Sequence, residues 1–177
     1  MKRFEKLFFC LLVSLFASGT YSSAQLATVS TTGQITAEVI PVFSAVETSQ
    51  LNFGRFAPGP LGGEIILTPQ NTISVMGTVF IGTGVHNAAS FYVSGDADAS
   101  FSISLPVNPV ILTHSSGNAK TMLVDNWNSV PSMGIGTGML KNGYQIVYVG
   151  ATLKVGTLND NPVGLYKGSY EITFDFN

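Results

Sequence analysis

From residue 34 onward the chain alternates apolar and polar side chains in short runs, and nearly every run ends at glycine, asparagine or proline. Side chains two positions apart share one face of a strand, whereas a helix face recurs roughly every 3.6 residues. No window of useful length carries the helical period, so the chain is expected to be all-β. Strands are predicted over residues 34–43, 64–67, 72–81, 89–93, 100–105, 110–113, 121–127, 145–155 and 169–176. In the run 100–105, Phe101, Ile103 and Leu105 oppose Ser100, Ser102 and Ser104. In the last run, Tyr170, Ile172, Phe174 and Phe176 oppose Glu171, Thr173 and Asp175. A strand with one apolar face buries it against a facing sheet. The expected architecture is therefore an antiparallel, immunoglobulin-like β-sandwich.

Between the runs lie turn-forming clusters: Pro58-Gly59-Pro60, Gly62-Gly63, Gly82-Thr83-Gly84, Gly95-Asp96, Ser116-Gly117-Asn118, Asn142-Gly143 and Asn159-Asp160-Asn161-Pro162. Glycine and asparagine supply positive φ, and proline fixes its own φ. Asn142-Gly143, set just before an apolar run, is the strongest hairpin signal in the chain. Pro41 removes a ladder donor from the predicted first strand, which places that strand at an edge or at a bend. Nothing in composition divides residues 25–177, and they are read as a single sandwich domain.

The N-terminus reads differently. Lys2, Arg3 and Lys6 precede an apolar run over residues 7–16, followed by small and polar residues up to Ala24. This is the order of a signal peptide, and Ser22 and Ala24 place the expected cut before Gln25. The apolar run is about half of the roughly 20 residues that span a bilayer. Export to the periplasm, cell surface or medium is the expectation. Cleavage would remove the one cysteine, Cys10, and leave Arg55, Lys120, Lys141, Lys154 and Lys167 as isolated basic residues. Without a concentrated basic face, phosphate neutralisation has no platform, and nucleic acid is excluded as a partner. No transmembrane span is expected in the mature chain, since Thr152 and Lys154 interrupt the later apolar block 146–155.

Catalytic groups are present as types but not as a constellation. No G-x-S-x-G elbow occurs, and His86 and His114 fall in predicted loops, where a solvated imidazole is expected. Asp96 and Asp98 fall short of the six to eight oxygens that calcium takes, so they read as a solvated turn. Gly134, Gly136 and Gly138 do not lead into a helix, as a phosphate-cradling loop does, and read as a flexible loop. Trp127 is either core or rim, with sugar stacking as its functional alternative. The chain is accordingly expected to be no enzyme and to need no cofactor or metal.

Several short stretches occur in a fixed order: Leu51-Asn52-Phe53-Gly54, Gly62-Gly63, Phe91-Tyr92-Val93-Ser94-Gly95, Tyr148-Val149-Gly150-Ala151-Thr152-Leu153 and Gly164-Leu165-Tyr166-Lys167-Gly168-Ser169-Tyr170. In that order they resemble a bacterial envelope family known as domain of unknown function 4402, which brings no enzyme activity with it. The C-terminal segment also resembles chaperone-usher pilin subunits and the related spore coat U domain. Gly164 is the fourteenth residue from the end and Phe176 the penultimate one, with the alternating strand between them. Phe stands where pilins carry Tyr, and their cysteine pair is missing. The pilin resemblance implies self-association, or assembly with envelope partners, through β-strand addition. It singles out Ile35, Ala37 and Val39 as one face of a donated strand, and Gly164, Tyr170, Ile172, Phe174 and Phe176 as the accepting end. The alternative is that residues 34–43 are the molecule's own first strand.

The leading expectation is a secreted, non-enzymatic envelope protein of structural or adhesion type, with a fimbria-like subunit as its most specific form. A carbohydrate- or other ligand-binding envelope module is the alternative. An outer-membrane barrel also fits alternating strands, but several of the strands here are too short for one.

Overall fold

The structure, a computed structural model, describes residues 28–39, 42–117 and 119–176. The chain divides into two units, Met1–Glu38 and Val39–Asn177. The expected signal peptide over residues 1–24 lies outside the described residues, as do Ile40 and Pro41. In the first unit, residues 28–38 form no regular element and are exposed.

In the second unit every regular element among the described residues is a β-strand. Eleven strands follow one another: β1 (Ser44–Ser49), β2 (Phe56–Leu67), β3 (Ile73–Ile81), β4 (Ala89–Ser94), β5 (Ser100–Ser104), β6 (Val110–His114), β7 (Thr121–Val130), β8 (Gly134–Met139), β9 (Tyr144–Val155), β10 (Tyr166–Lys167) and β11 (Thr173–Phe176). They build two antiparallel sheets. The larger runs β1-β4-β9-β7-β6-β10, with β2 inserted beside β9 and β3 beside β2; the smaller runs β11-β5-β8.

Strand β9 organises the larger sheet. One of its edges pairs with β4 over Tyr144 to Val149 and then with β2 over Ala151 to Val155. Its other edge pairs with β7 from Tyr148 to Lys154. Its odd-numbered residues from Val147 to Val155 are buried. They meet Ile65 and Leu67 of β2, Val93 of β4, Val124 of β7, and Phe101 and Ile103 of the smaller sheet in one apolar cluster. This is the two-layer sandwich that the alternation predicts. On the opposite face Lys154 bonds Glu64 across the β2–β9 pair at 2.5 Å and lies 3.7 Å from Asp125 of β7.

Several expectations are corrected. The strand predicted over 34–43 does not form among the described residues; pairing begins at Ser44, opposite Ser94 of β4. Thr48 fastens this strand through its hydroxyl, 2.8 Å from that of Ser90. Alternation makes a strand possible, but a pairing partner makes it form, and β4 supplies one only from Ser44. Pro58-Gly59-Pro60 and Gly62-Gly63 are not a turn but a wide bulge inside β2, opposite Thr78. The Thr78 hydroxyl accepts from Leu61 N–H at 3.1 Å and donates to Gly62 O at 3.0 Å, standing in for lost ladder bonds.

The glycine run 134–138 is strand β8, not a flexible loop. Gly138 lies opposite Phe101 in the ladder, and a Cβ there would enter the Phe101 ring. Glycine is thus required by a neighbouring aromatic side chain, which the sequence pattern of β8 alone does not reveal. Asn142-Gly143 does form the expected tight turn, with φ of 55° and 86°. It joins β8 in one sheet to β9 in the other.

Candidate functional site

Strand β1 ends the larger sheet and β11 ends the smaller one. Aromatic contacts bring these two edges to the same side of the sandwich. Phe91 on β4, next to β1, meets Phe174 at 5.9 Å and Tyr170 edge-on at 6.4 Å. Phe43, just before β1, stacks on Phe176 with ring centres 4.0 Å apart. Further in, Phe174 and Phe176 lie against Phe101 at 5.9 and 5.7 Å, and Tyr170 lies 4.6 Å from Trp127. Tyr170, Ile172, Phe174 and Phe176 thus share one inward face while Glu171, Thr173 and Asp175 stay exposed. The period-two reading of this segment holds, although only its last four residues pair, with β5. The four inward side chains remain half-buried, because no described strand continues either sheet at this seam.

Two polar atoms here lack partners among the described residues. The Tyr170 hydroxyl and Trp127 Nε1 are both buried and make no hydrogen bond. Burial, and then the charge of Glu47 on β1, push the Tyr170 phenol far above its ordinary range. Trp127 is core, 7% exposed, and offers no ring face for sugar stacking.

Gly164 belongs to a different neighbourhood. It packs against the Nε2 end of the His114 imidazole, and a Cβ at this position would fall on Nε2. His114 is not a solvated loop residue as expected. It is buried at the end of β6, its ring edge-on to Tyr166 at 4.8 Å. Its Nδ1 accepts from Ser116 N–H at 3.1 Å and faces the Ser116 hydroxyl at 2.7 Å. Because Nδ1 accepts from a backbone N–H, the ring proton sits on Nε2, which donates to Val163 O at 3.1 Å. Serine and histidine are close here, but both ring nitrogens are committed to holding the β6–β7 loop and the approach to β10. The imidazole works as a clamp.

The remaining predicted residues are not gathered at the seam. Ile35 and Val39 are 97% and 95% exposed, Ala37 is exposed, and none of them lies in a strand. Among the described residues no cluster of three or more His, Cys, Asp or Glu side chains is placed to hold a metal ion. No described helix is long and apolar enough to cross a membrane. Sequence reasoning missed Phe43, Glu47 and Phe91 as parts of the seam. Phe91 carries a signal, since it shares an alternating face with Val93, whereas Phe43 falls in the predicted 34–43 strand, which does not form among the described residues.

The family described as a domain of unknown function, DUF4402, matches residues 43–176. No curated protein and no solved structure matches the chain. The matched stretch begins and ends on the two stacked rings, Phe43 and Phe176, and contains all eleven strands. On this match the chain belongs to the DUF4402 family.

Proposed function

We propose that the protein is an exported, non-enzymatic envelope component of structural or adhesion type, a fimbria-like subunit that assembles by β-strand addition. The observation that carries this reading is the half-filled seam between β1 and β11. Both strands present an unpaired edge there among the described residues, and half-buried aromatic side chains lie between them. An unpaired edge of N–H and C=O groups is a template for another strand. Residues 34–39 are a suitable occupant when offered by another copy. They are exposed and unpaired in a strand, and Ile35, Ala37 and Val39 would fall on one face of an extended chain. In β-strand addition the backbone bonds supply affinity while alternate side chains fill pockets, here those bordered by Tyr170, Ile172 and Phe174. The commitment of both His114 nitrogens to main-chain and neighbouring groups supports a non-enzymatic role.

Two measurements test the reading. N-terminal sequencing of protein recovered outside the cytoplasm is expected to begin at Gln25. Unheated gel electrophoresis is expected to give a ladder that collapses in Ile35→Asp and Val39→Asp. Wild-type protein that sediments as a monomer at every concentration, indistinguishable from those variants, would overturn the assembly.

A further inference from the structure

A second feature lies on the outer face of the larger sheet, away from the core. A cleft of about 490 Å³ opens there, within the range of small-molecule sites. Its floor is Tyr148 of β9, flanked across the ladder by Ser90 of β4 and Val130 of β7. Ser90 is small and its hydroxyl is tied to Thr48. Tyr148 consequently remains 42% exposed.

The walls are fixed by main-chain bonds. On one side stands the β2–β3 turn, where Asn71 N–H donates to Thr68 O at 2.9 Å, Pro69 starts the turn, and Asn71 takes φ of 62°. Proline at that position and asparagine at positive φ are what such a turn selects. Asn71 Oδ1 then accepts from Ala88 N–H at 2.9 Å, tying the turn to the start of β4. Gly150 lets the turn come this near, because a Cβ there would collide with Leu67 O and the Thr68–Pro69 backbone. Beside the turn Asn87 is held by a reciprocal pair of backbone bonds with Asn52, at 2.8 and 2.9 Å. The cleft is therefore built before any ligand arrives.

We infer that this cleft binds a neutral saccharide, with a sugar ring lying on Tyr148 and its hydroxyls bonded by the Gln70, Asn71 and Asn87 amides. None of the described residues lining the cleft is charged. An ionic ligand would lose hydration there without a counter-charge. A purely apolar ligand would desolvate the amides and leave them unpaired, which is unfavourable. A side-chain amide offers donor and acceptor side by side, which suits the adjacent hydroxyls of a sugar. The Gln70 and Asn87 amides and Asn71 Nδ2 have no protein partner among the described residues, so they are available. Along the same outer face Tyr92 and Tyr144 stack at 5.6 Å, each partly exposed. They extend the apolar platform beyond Tyr148 for a longer chain of sugars.

The test is an array of neutral glucose-, mannose- and galactose-based oligosaccharides printed beside sialylated and uronate-bearing ones, followed by titration calorimetry with the best neutral binder. Neutral oligosaccharides are expected to bind and acidic ones not to. Tyr148→Ala should weaken binding at least about tenfold, the scale of one well-placed aromatic contact. Tyr148→Phe keeps the ring and is expected to stay within about threefold. Asn87→Ala, checked for an unchanged melting temperature, should weaken binding, whereas Thr83→Ala should not. Binding is expected to survive in Ile35→Asp, which separates this site from strand-mediated assembly. Absence of neutral-glycan binding, a preference for acidic glycans, or undiminished binding by Tyr148→Ala and Asn87→Ala together would overturn the inference.

Discussion

At Tyr170 a hydroxyl is buried without a partner, and its removal is informative. Tyr170→Phe deletes an unsatisfied group while keeping the ring against Trp127 and Phe91, so stability in urea should be unchanged or rise by up to about 1 kcal/mol. The same residue shapes the response to alkali. Folding holds the Tyr170 proton above its ordinary 10.0, chiefly by burial. It also holds the Lys154 proton above its ordinary 10.5, chiefly through the Glu64 hydrogen bond. Above those ordinary values the unfolded chain has released protons that the folded chain keeps, so stability falls as pH rises. Denaturation midpoints should therefore drop on going from neutral pH to about pH 11, and Tyr170→Phe should drop less. Gly164→Ala has the opposite character. It drives a methyl into the His114 ring, and a loss of roughly 1–3 kcal/mol is expected, the range for overpacking a tight site.

Among elements, β11 shows how local pattern and tertiary context divide the information. Its inward face was legible, because Tyr170, Ile172, Phe174 and Phe176 repeat at period two. Its short pairing was not, because strand length depends on what β5 offers opposite. The same division explains β8, whose glycines look like a loop until Phe101 is placed beside them. It also explains the 34–43 segment, whose alternation finds no partner strand among the described residues. Of the seam itself, the sequence carried the β11 side chains but not the β1 edge, since Ser44–Ser49 exposes nearly all of its length and presents no regular apolar face. The cleft above Tyr148 was illegible for a further reason: its walls come from two loops, on either side of β3 in the chain, that only the folded sheet brings together. Phe174→Ala should destabilise by about 2–4 kcal/mol, less than a fully buried ring because this one is half-buried. Asp175→Ala, on the outward face, should stay within about 0.5 kcal/mol. Urea titrations of both variants check the assignment of faces.

For the molecule as a whole, the strands and the family match fall within the second unit, Val39–Asn177. Removing residues 1–38 is expected to leave the thermal midpoint of the sandwich unchanged while eliminating the gel ladder. A midpoint lowered by many degrees would instead make the N-terminal segment part of the molecule's own core. The position of β9 has a consequence for how the sandwich opens. From Tyr148 to Lys154 this strand is flanked on both sides, by β7 throughout and by β4 and then β2 on the other edge. Its amide protons there are divided between two ladders, so neither edge of the strand is open to fraying while both neighbours stay in place. β1 and β10 each have one edge without a neighbour among the described residues. Deuterium should therefore enter β1 and β10 first and the middle of β9 last, at a rate set by global unfolding. The edge offered to an incoming strand is then also the part of the sandwich that breathes most often.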